Sequence, residues 1–161
     1  MLMTKTLAYL LLDTSAEYRG GQRQVILLAE ELHRLGEPVV VGLRPGTPID
    51  RRLDPTVPRL PVSSLFEGDP FAARRLGRAM AEFGIDLVNA QASHDHLLAA
   101  MAVRLGPRRP PVVVTRRVDF VPGRGPFNRW KYRRGADRYI AISRAILDVL
   151  TGWGSTKTAF E

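Results

Sequence analysis

Short, continuous apolar runs alternate with helix-period segments along the whole chain. The first run, Leu7-Ala8-Tyr9-Leu10-Leu11-Leu12, ends at Asp13. A polar loop then leads to Gly20-Gly21, and a stripe follows with Val25, Leu28, Ala29, Leu32 and Leu35 at helical spacing. The order reads as buried strand, glycine turn and amphipathic helix. The same alternation predicts strands over 6–12, 39–43, 59–62, 86–90, 112–115 and 139–142, and helices over 21–35, 71–83, 96–105, 126–135 and 144–150. Gly36 and Gly84 stand where helices should stop, Pro110-Pro111 closes the approach to the fifth strand, and Ser143 is placed to cap the last helix. Unbroken apolar strands suit a sheet covered on both faces. Strand–helix alternation then implies right-handed crossovers and an open, mostly parallel α/β sheet.

Ligands of such sheets bind beyond the carboxyl ends of the strands. The segments 13–21, 44–47, 91–95 and 116–125 follow strands and are therefore the candidate binding segments. At 161 residues the chain forms one domain. The absence of cysteine excludes disulfides, thiolate metal ligation and a thiol nucleophile, and agrees with a cytoplasmic location. The first apolar run is too short for a signal peptide, and no apolar stretch approaches the ~20 residues of a bilayer span.

The net charge of +8 is unevenly placed. Between Arg108 and Arg144 there are 11 basic residues, opposed only by Asp119 and Asp137. Such asymmetry suits an anionic partner (phosphate, acidic lipid headgroups or nucleic acid), or simply arginine-rich solvated faces.

Four groups of residues carry candidate chemistry. Gly20-Gly21 lets backbone N–H groups approach an anion at a helix N-terminus. It belongs to neither a GxGxxG fingerprint nor a P-loop, since neither motif is present. His94, Asp95 and His96 follow the fourth strand, where they suit acid/base work or hydroxyl recognition; alternatively Ser93 or Asp95 caps the helix and the histidines are solvated. No second histidine or cysteine cluster supports a metal site. Arg116 and Arg117 can clamp a phosphate or carboxylate, while Asp119 either accepts a hydroxyl proton or holds an arginine. Trp130 and Tyr132 lie among Arg129, Lys131, Arg133 and Arg134, but no nucleic-acid motif accompanies them. At helical spacing, Phe127, Trp130 and the arginine stems are expected to pack onto the sheet.

The ordered segments resemble the N-terminal half of a family 4 (GT-B) glycosyltransferase. They are Gly20-Gly21-Gln22-Arg23-Gln24 with Leu28-Ala29 and Leu32; Gly36-Glu37-Pro38-Val39-Val40-Val41; Asp86-Leu87-Val88-Asn89-Ala90-Gln91 with His94; Val113-Val114-Thr115-Arg116-Arg117; and Lys131-Tyr132 followed by Ala136-Asp137-Arg138-Tyr139-Ile140-Ala141-Ile142-Ser143. The resemblance implies a Rossmann-like, doubly wound parallel sheet with helices on both faces, over residues 1–161. This would be the acceptor-binding half of an enzyme whose second half holds the nucleotide sugar and a paired-glutamate motif. It also implies retention of anomeric configuration and no metal or other cofactor, the nucleotide sugar being a co-substrate. On this resemblance Gly20, Gly21 and Arg23 meet the donor diphosphate. Arg116, Arg117, His96 and Lys131 meet the acceptor, and His94, Asp95 and Asp119 stand nearest the chemistry.

Two departures accompany the resemblance. The chain stops at Glu161, where the second domain should begin, so the C-terminal domain is expected to be absent and the piece alone inactive. Where many members carry a histidine after the fifth strand, Arg116-Arg117 stands instead. The expected partners are a nucleotide sugar, a sugar, lipid-linked or phosphorylated acceptor in envelope synthesis, the missing domain and an anionic membrane surface touched by 124–134; nucleic acid is not expected. The alternative reading is a standalone Rossmann-type module that binds an anion without catalysis.

Overall fold

A computed structural model describes residues 6–119, 121–123, 125–152 and 158–160, the last three as backbone. The chain order is β1 (Tyr9–Asp13), α1 (Gly20–Arg34), β2 (Val39–Leu43), α2 (Pro48–Arg52), β3 (Arg59–Pro61), α3 (Pro70–Glu82), β4 (Leu87–Ala90), α4 (Ser93–Leu105), β5 (Val112–Arg116), α5 (Pro126–Arg134), β6 (Arg138–Ala141), α6 (Arg144–Gly152) and β7 (Thr158–Phe160). All strand pairs are parallel, in the order β3-β2-β1-β4-β5-β6-β7. The order reverses between β1 and β4, which sit side by side with Leu12 opposite Ala90. In an open sheet that switch point is where a ligand crevice forms.

Side chains of β1 alternate between two cores. Leu10 and Leu12 join α3, α4 and Ile146 and Leu150 of α6 on one face, whereas Leu11 joins Val25, Ile26 and Ala29 of α1 and Ile49 of α2 on the other. The tightest crossing is between α3 and α4: a Cβ on Gly77 would lie 2.6 Å from the Ala102 carbonyl oxygen and 2.7 Å from Gly106 Cα. Helices α1 and α3 stop at residues followed by Gly36 (φ 77°) and Gly84 (φ 64°), whose left-handed backbone favours glycine.

Several sequence expectations change. β1 begins at Tyr9 rather than Thr6 and includes Asp13. Helix α1 runs from Gly20 to Arg34 rather than over 21–35, with Arg19 at the N-cap position. The buried stripe of α1 is Gln22, Val25, Ile26 and Ala29, whereas Leu28 and Leu35 are exposed. The inward residues of α5 are Lys131 and Tyr132, not Phe127 and Trp130. Phe127 instead stacks on Trp130 near the surface, and the Arg104 guanidinium covers the indole. Ser143 caps α6 as expected, its Oγ accepting from the Ile146 N–H at 3.4 Å.

Candidate functional site

A cavity of about 640 Å³ opens at the switch point. Its walls come from the β1–α1 loop, the first turn of α1, the end of β4 with the start of α4, and the end of β5. Each wall is held by buried polar contacts that begin in the local sequence.

Asp13 ends β1 fully buried and accepts from the Ser15 N–H at 3.1 Å and from Gln22 Nε2 at 2.9 Å. Gln22 Oε1 accepts in turn from the Arg19 N–H at 3.0 Å. One glutamine thereby ties both ends of the loop and sets the height of Gly21 above the strand ends. From α4, Asp95 reaches across to the same loop: its Oδ1 accepts from the Thr14 N–H at 3.2 Å and Oγ1 at 2.7 Å. Burial, together with the charge of nearby Asp13, pushes the Asp95 carboxyl well above the usual aspartate range, against the bonds from Thr14 and Ala92.

His94 Nε2 stands 3.3 Å from Asp95 Oδ1. Burial lowers its pKa from the ordinary 6.5, partly opposed by Asp13 and Glu67, so the imidazole is neutral at pH 7. It lies in the cavity wall and can accept a proton or a hydroxyl hydrogen bond. His96 lies deeper, 1% exposed, edge-on to Tyr132 and Tyr139. Its pKa is pushed down to about 3 by burial first and then by the Lys131 charge.

Gln91 follows β4. Its backbone N–H donates to the Leu12 carbonyl at 3.0 Å. Its side-chain amide is only 6% exposed, lines the cavity, and has no protein partner on either Oε1 or Nε2 among the described residues. A desolvated, unsatisfied amide beside a cavity is poised for a ligand. Opposite it, Arg117 lies across Gly21: a Cβ there would come 3.4 Å from Arg117 Cδ. The guanidinium donates through Nε to Gln24 Oε1 at 2.9 Å and through Nη1 to the Gln91 carbonyl at 3.4 Å. Burial lowers its pKa and the charge of Asp13 opposes that.

The structure thus brings Gly21, His94, His96, Arg116 and Arg117 into one cavity wall, with Asp95 directly behind. Gly20, Arg23 and Asp119 are exposed and stand outside this lining. Arg116 is buried and donates to the Tyr132 hydroxyl at 2.8 Å. Lys131, only 2% exposed, donates to Ser93 Oγ at 2.8 Å and approaches Glu67 at 3.7 Å, which makes it a strut beneath the site. Neither Ser93 nor Asp95 is the N-cap of α4, a position held by Ala92, and only His94 of the two histidines reaches solvent. Asp13, Gln22 and Gln91 complete the set. Their signal in the sequence is a polar side chain closing an apolar strand, or one turn into the helix that follows.

The fold is a Rossmann-like α/β domain with its crevice at the switch of strand order, an architecture that matches one half of the GT-B fold. The family model for Glycosyltransferase Family 4 matches residues 18–159, and the chain belongs to that family. A search of curated protein sequences finds no match. Among solved structures, Alr3699/HepE of Anabaena in complex with UDP superposes with a TM-score of 0.71 at 18% identity, over 96% of this chain and 43% of its own. A glycosyltransferase from Rickettsia africae gives 0.77 at 15% identity, over 97% and 42%. The lipopolysaccharide outer core galactosyltransferase WaaB, in its apo form, gives 0.72 at 10%, over 94% and 44%. The chain therefore spans less than half the length of these relatives in fold.

Proposed function

We propose that this chain is the acceptor-side wall of a retaining glycosyltransferase. The enzyme moves a sugar from a nucleotide-sugar donor to a sugar, lipid-linked or phosphorylated acceptor in cell-envelope glycoconjugate synthesis. The observation that carries the reading is the pairing of Gly21 with the half-buried Arg117 and the unpartnered Gln91 amide across one cavity. Backbone N–H groups at a helix start and a guanidinium are the groups that take up the charge of a diphosphate as it leaves. Neutral His94 faces the same space, where it receives the hydrogen of the attacking hydroxyl. Alr3699/HepE of Anabaena forms a complex with UDP, which supports a nucleotide diphosphate at this cleft.

The second wall of the cleft, with the nucleotide-sugar site and no metal or other cofactor, belongs to a further domain of the same protein on this reading. Catalysis needs both walls to hold donor against acceptor. On the same reading the enzyme works on the cytoplasmic side, in peripheral contact with anionic membrane. Helix α5 supports that contact with three exposed basic residues, Arg129, Arg133 and Arg134, and no acidic one. No helix among the described residues is long and apolar enough to cross a membrane.

Titrating the 161-residue chain with UDP while following amide resonances tests the reading. Saturable shifts at Gly21, Gln91 and Arg117, with no turnover of UDP-glucose, are expected. An unresponsive cavity, or efficient sugar transfer by this chain alone, overturns it.

A further inference from the structure

Gln24 stands one helical turn beyond Gly21 on α1. Residues at i and i+3 share a helix face, so Gln24 lies on the side of α1 that carries the glycine. Arg117 passes over that side: a Cβ on Gly21 would lie 3.4 Å from its Cδ and 3.6 Å from its Nη1. Gln24 Oε1 accepts from Arg117 Nε at 2.9 Å, a contact between residues 93 apart in sequence. The Gln91 carbonyl accepts from Nη1 at 3.4 Å. A guanidinium has five N–H donors, and these two contacts leave Nη2 and one hydrogen of Nη1 without a protein acceptor among the described residues. The Nη1 and Nη2 groups together are what a phosphate takes bidentately.

Both partners of Arg117 are neutral. Asp13 acts on it through charge alone, since its oxygens accept from Ser15 and Gln22, and Glu17 is paired with Arg19. A glutamate at position 24 would take the same Nε hydrogen and cancel the charge. A glutamine takes it and leaves the charge in place. Beside the guanidinium, the Gln91 amide is 6% exposed and unpartnered in the cavity wall, an independent sign that a polar ligand completes this space.

We propose that Gln24 is a positioning residue for the donor diphosphate: it fixes Arg117 across Gly21 without neutralising it. The proposal rests on the glycosyl-transfer reading above and adds to it a residue that lies outside the cavity lining. It acts on the phosphate only through the guanidinium it holds.

The test uses the 161-residue chain as wild type, Gln24→Ala, Gln24→Glu and Leu28→Glu. Calorimetry reads the binding of inorganic pyrophosphate, and NMR reads the exchange of the Arg117 Nε–H with water. Gln24 and Leu28 are both exposed, so the substitutions leave the core intact. Leu28→Glu sets a carboxylate one turn further along α1 and controls for charge that does not touch Arg117. Gln24→Ala should speed Nε–H exchange about fivefold and weaken pyrophosphate about threefold. Gln24→Glu should keep the slow exchange yet weaken pyrophosphate about tenfold, a loss that shrinks as salt is raised. Leu28→Glu should stay within about twofold of wild type in both readouts. A glutamine with a merely structural role would leave affinity unchanged in Gln24→Glu. The assignment is overturned if Gln24→Glu binds like wild type, if Leu28→Glu loses as much affinity, or if Nε–H exchange is indifferent to Gln24→Ala. A wild-type chain that does not bind pyrophosphate overturns the diphosphate reading itself, whereas wild-type binding shared equally by all three variants overturns the role of Gln24 alone.

Discussion

Acidification should unfold this chain through His96, and the size of the effect follows from where the ring sits. The imidazole is 1% exposed between Tyr132 and Tyr139, and burial beside Lys131 and Arg116 brings its pKa from 6.5 to about 3. The folded state therefore keeps the ring neutral while the unfolded chain protonates it below pH 6.5. The stability this group contributes is present above pH 6.5 and is lost as pH falls, by up to ~1.36 kcal/mol per pH unit, levelling off near pH 3. Between pH 7 and pH 4.5 the loss comes to about 2.5 kcal/mol. That figure is set almost wholly by the unfolded ring, because pH 4.5 lies above the folded value. Urea unfolding of wild type and His96→Gln at pH steps from 7 to 4.5 isolates it. Acid-sensitive groups such as Asp69, lowered by N–H bonds from Ala72, Leu65 and Phe71, act equally in both proteins and cancel. So does Asp95, whose raised pKa works in the opposite sense. His96→Gln loses the ring contacts and is less stable at pH 7, but the gap should narrow by about 2.5 kcal/mol at pH 4.5. Parallel profiles, or a His96 titration centred near pH 6.5, would refute the reasoning and return His96 to the role of an accessible acceptor ligand.

Arg117→Gln should weaken UDP binding about tenfold, or ~1.4 kcal/mol, while Arg23→Gln leaves it unchanged, since Arg117 crosses Gly21 and Arg23 stands outside the cavity. Isothermal titration of both variants checks this, and equal losses would sink it. Gly77→Ala forces a methyl to within 2.6 Å of the Ala102 carbonyl oxygen and should cost about 1–3 kcal/mol, whereas Gly20→Ala meets nothing within 4 Å and should change stability by under ~0.5 kcal/mol. Denaturant midpoints compare the two. Flotation with anionic vesicles should retain the wild-type chain and release Arg129→Glu/Arg133→Glu, because both arginines are exposed on α5. Equal binding to neutral vesicles contradicts an electrostatic contact.

The α/β order and the principal strand and helix positions are legible because each long element carries its own period, and Gly36 and Gly84 mark the helix stops. Two elements lack that signal: α2 has 5 residues and β7 has 3, too few for a period to emerge. The stripe of α1 is rotated because Leu28 and Leu32 share helical spacing with Val25 and Ala29, and only packing against β2 decides which leucine is covered. In the site, His94 and Arg117 are readable from their place after strands. The depth of a polar side chain is not. Lys131 and His96 follow from their place in the sequence, but only the structure shows that one is bonded to Ser93 and the other, in the cavity lining, is packed among tyrosines. Gln91 is an ordinary glutamine by spacing, and the structure places its amide unsatisfied in the cavity wall.

The electrostatics around Gly21 explain why the wall is arranged this way on the proposed reading. The start of a helix carries partial positive charge, and a guanidinium laid across it is repelled. Arg117 is nonetheless held there by a glutamine side chain and a backbone carbonyl, both neutral, and among the described residues no carboxylate lies within ion-pair distance. The buried Asp13 steadies it from a distance and meanwhile fixes the loop through Ser15 and Gln22. Two positive groups are thus held close together by neutral scaffolding, and an anion bound to both relieves the repulsion. Replacing Asp13 with asparagine should accordingly loosen the loop while strengthening the bare attraction for phosphate. Positioning and charge would then separate in one variant: a lower unfolding midpoint together with tighter pyrophosphate binding.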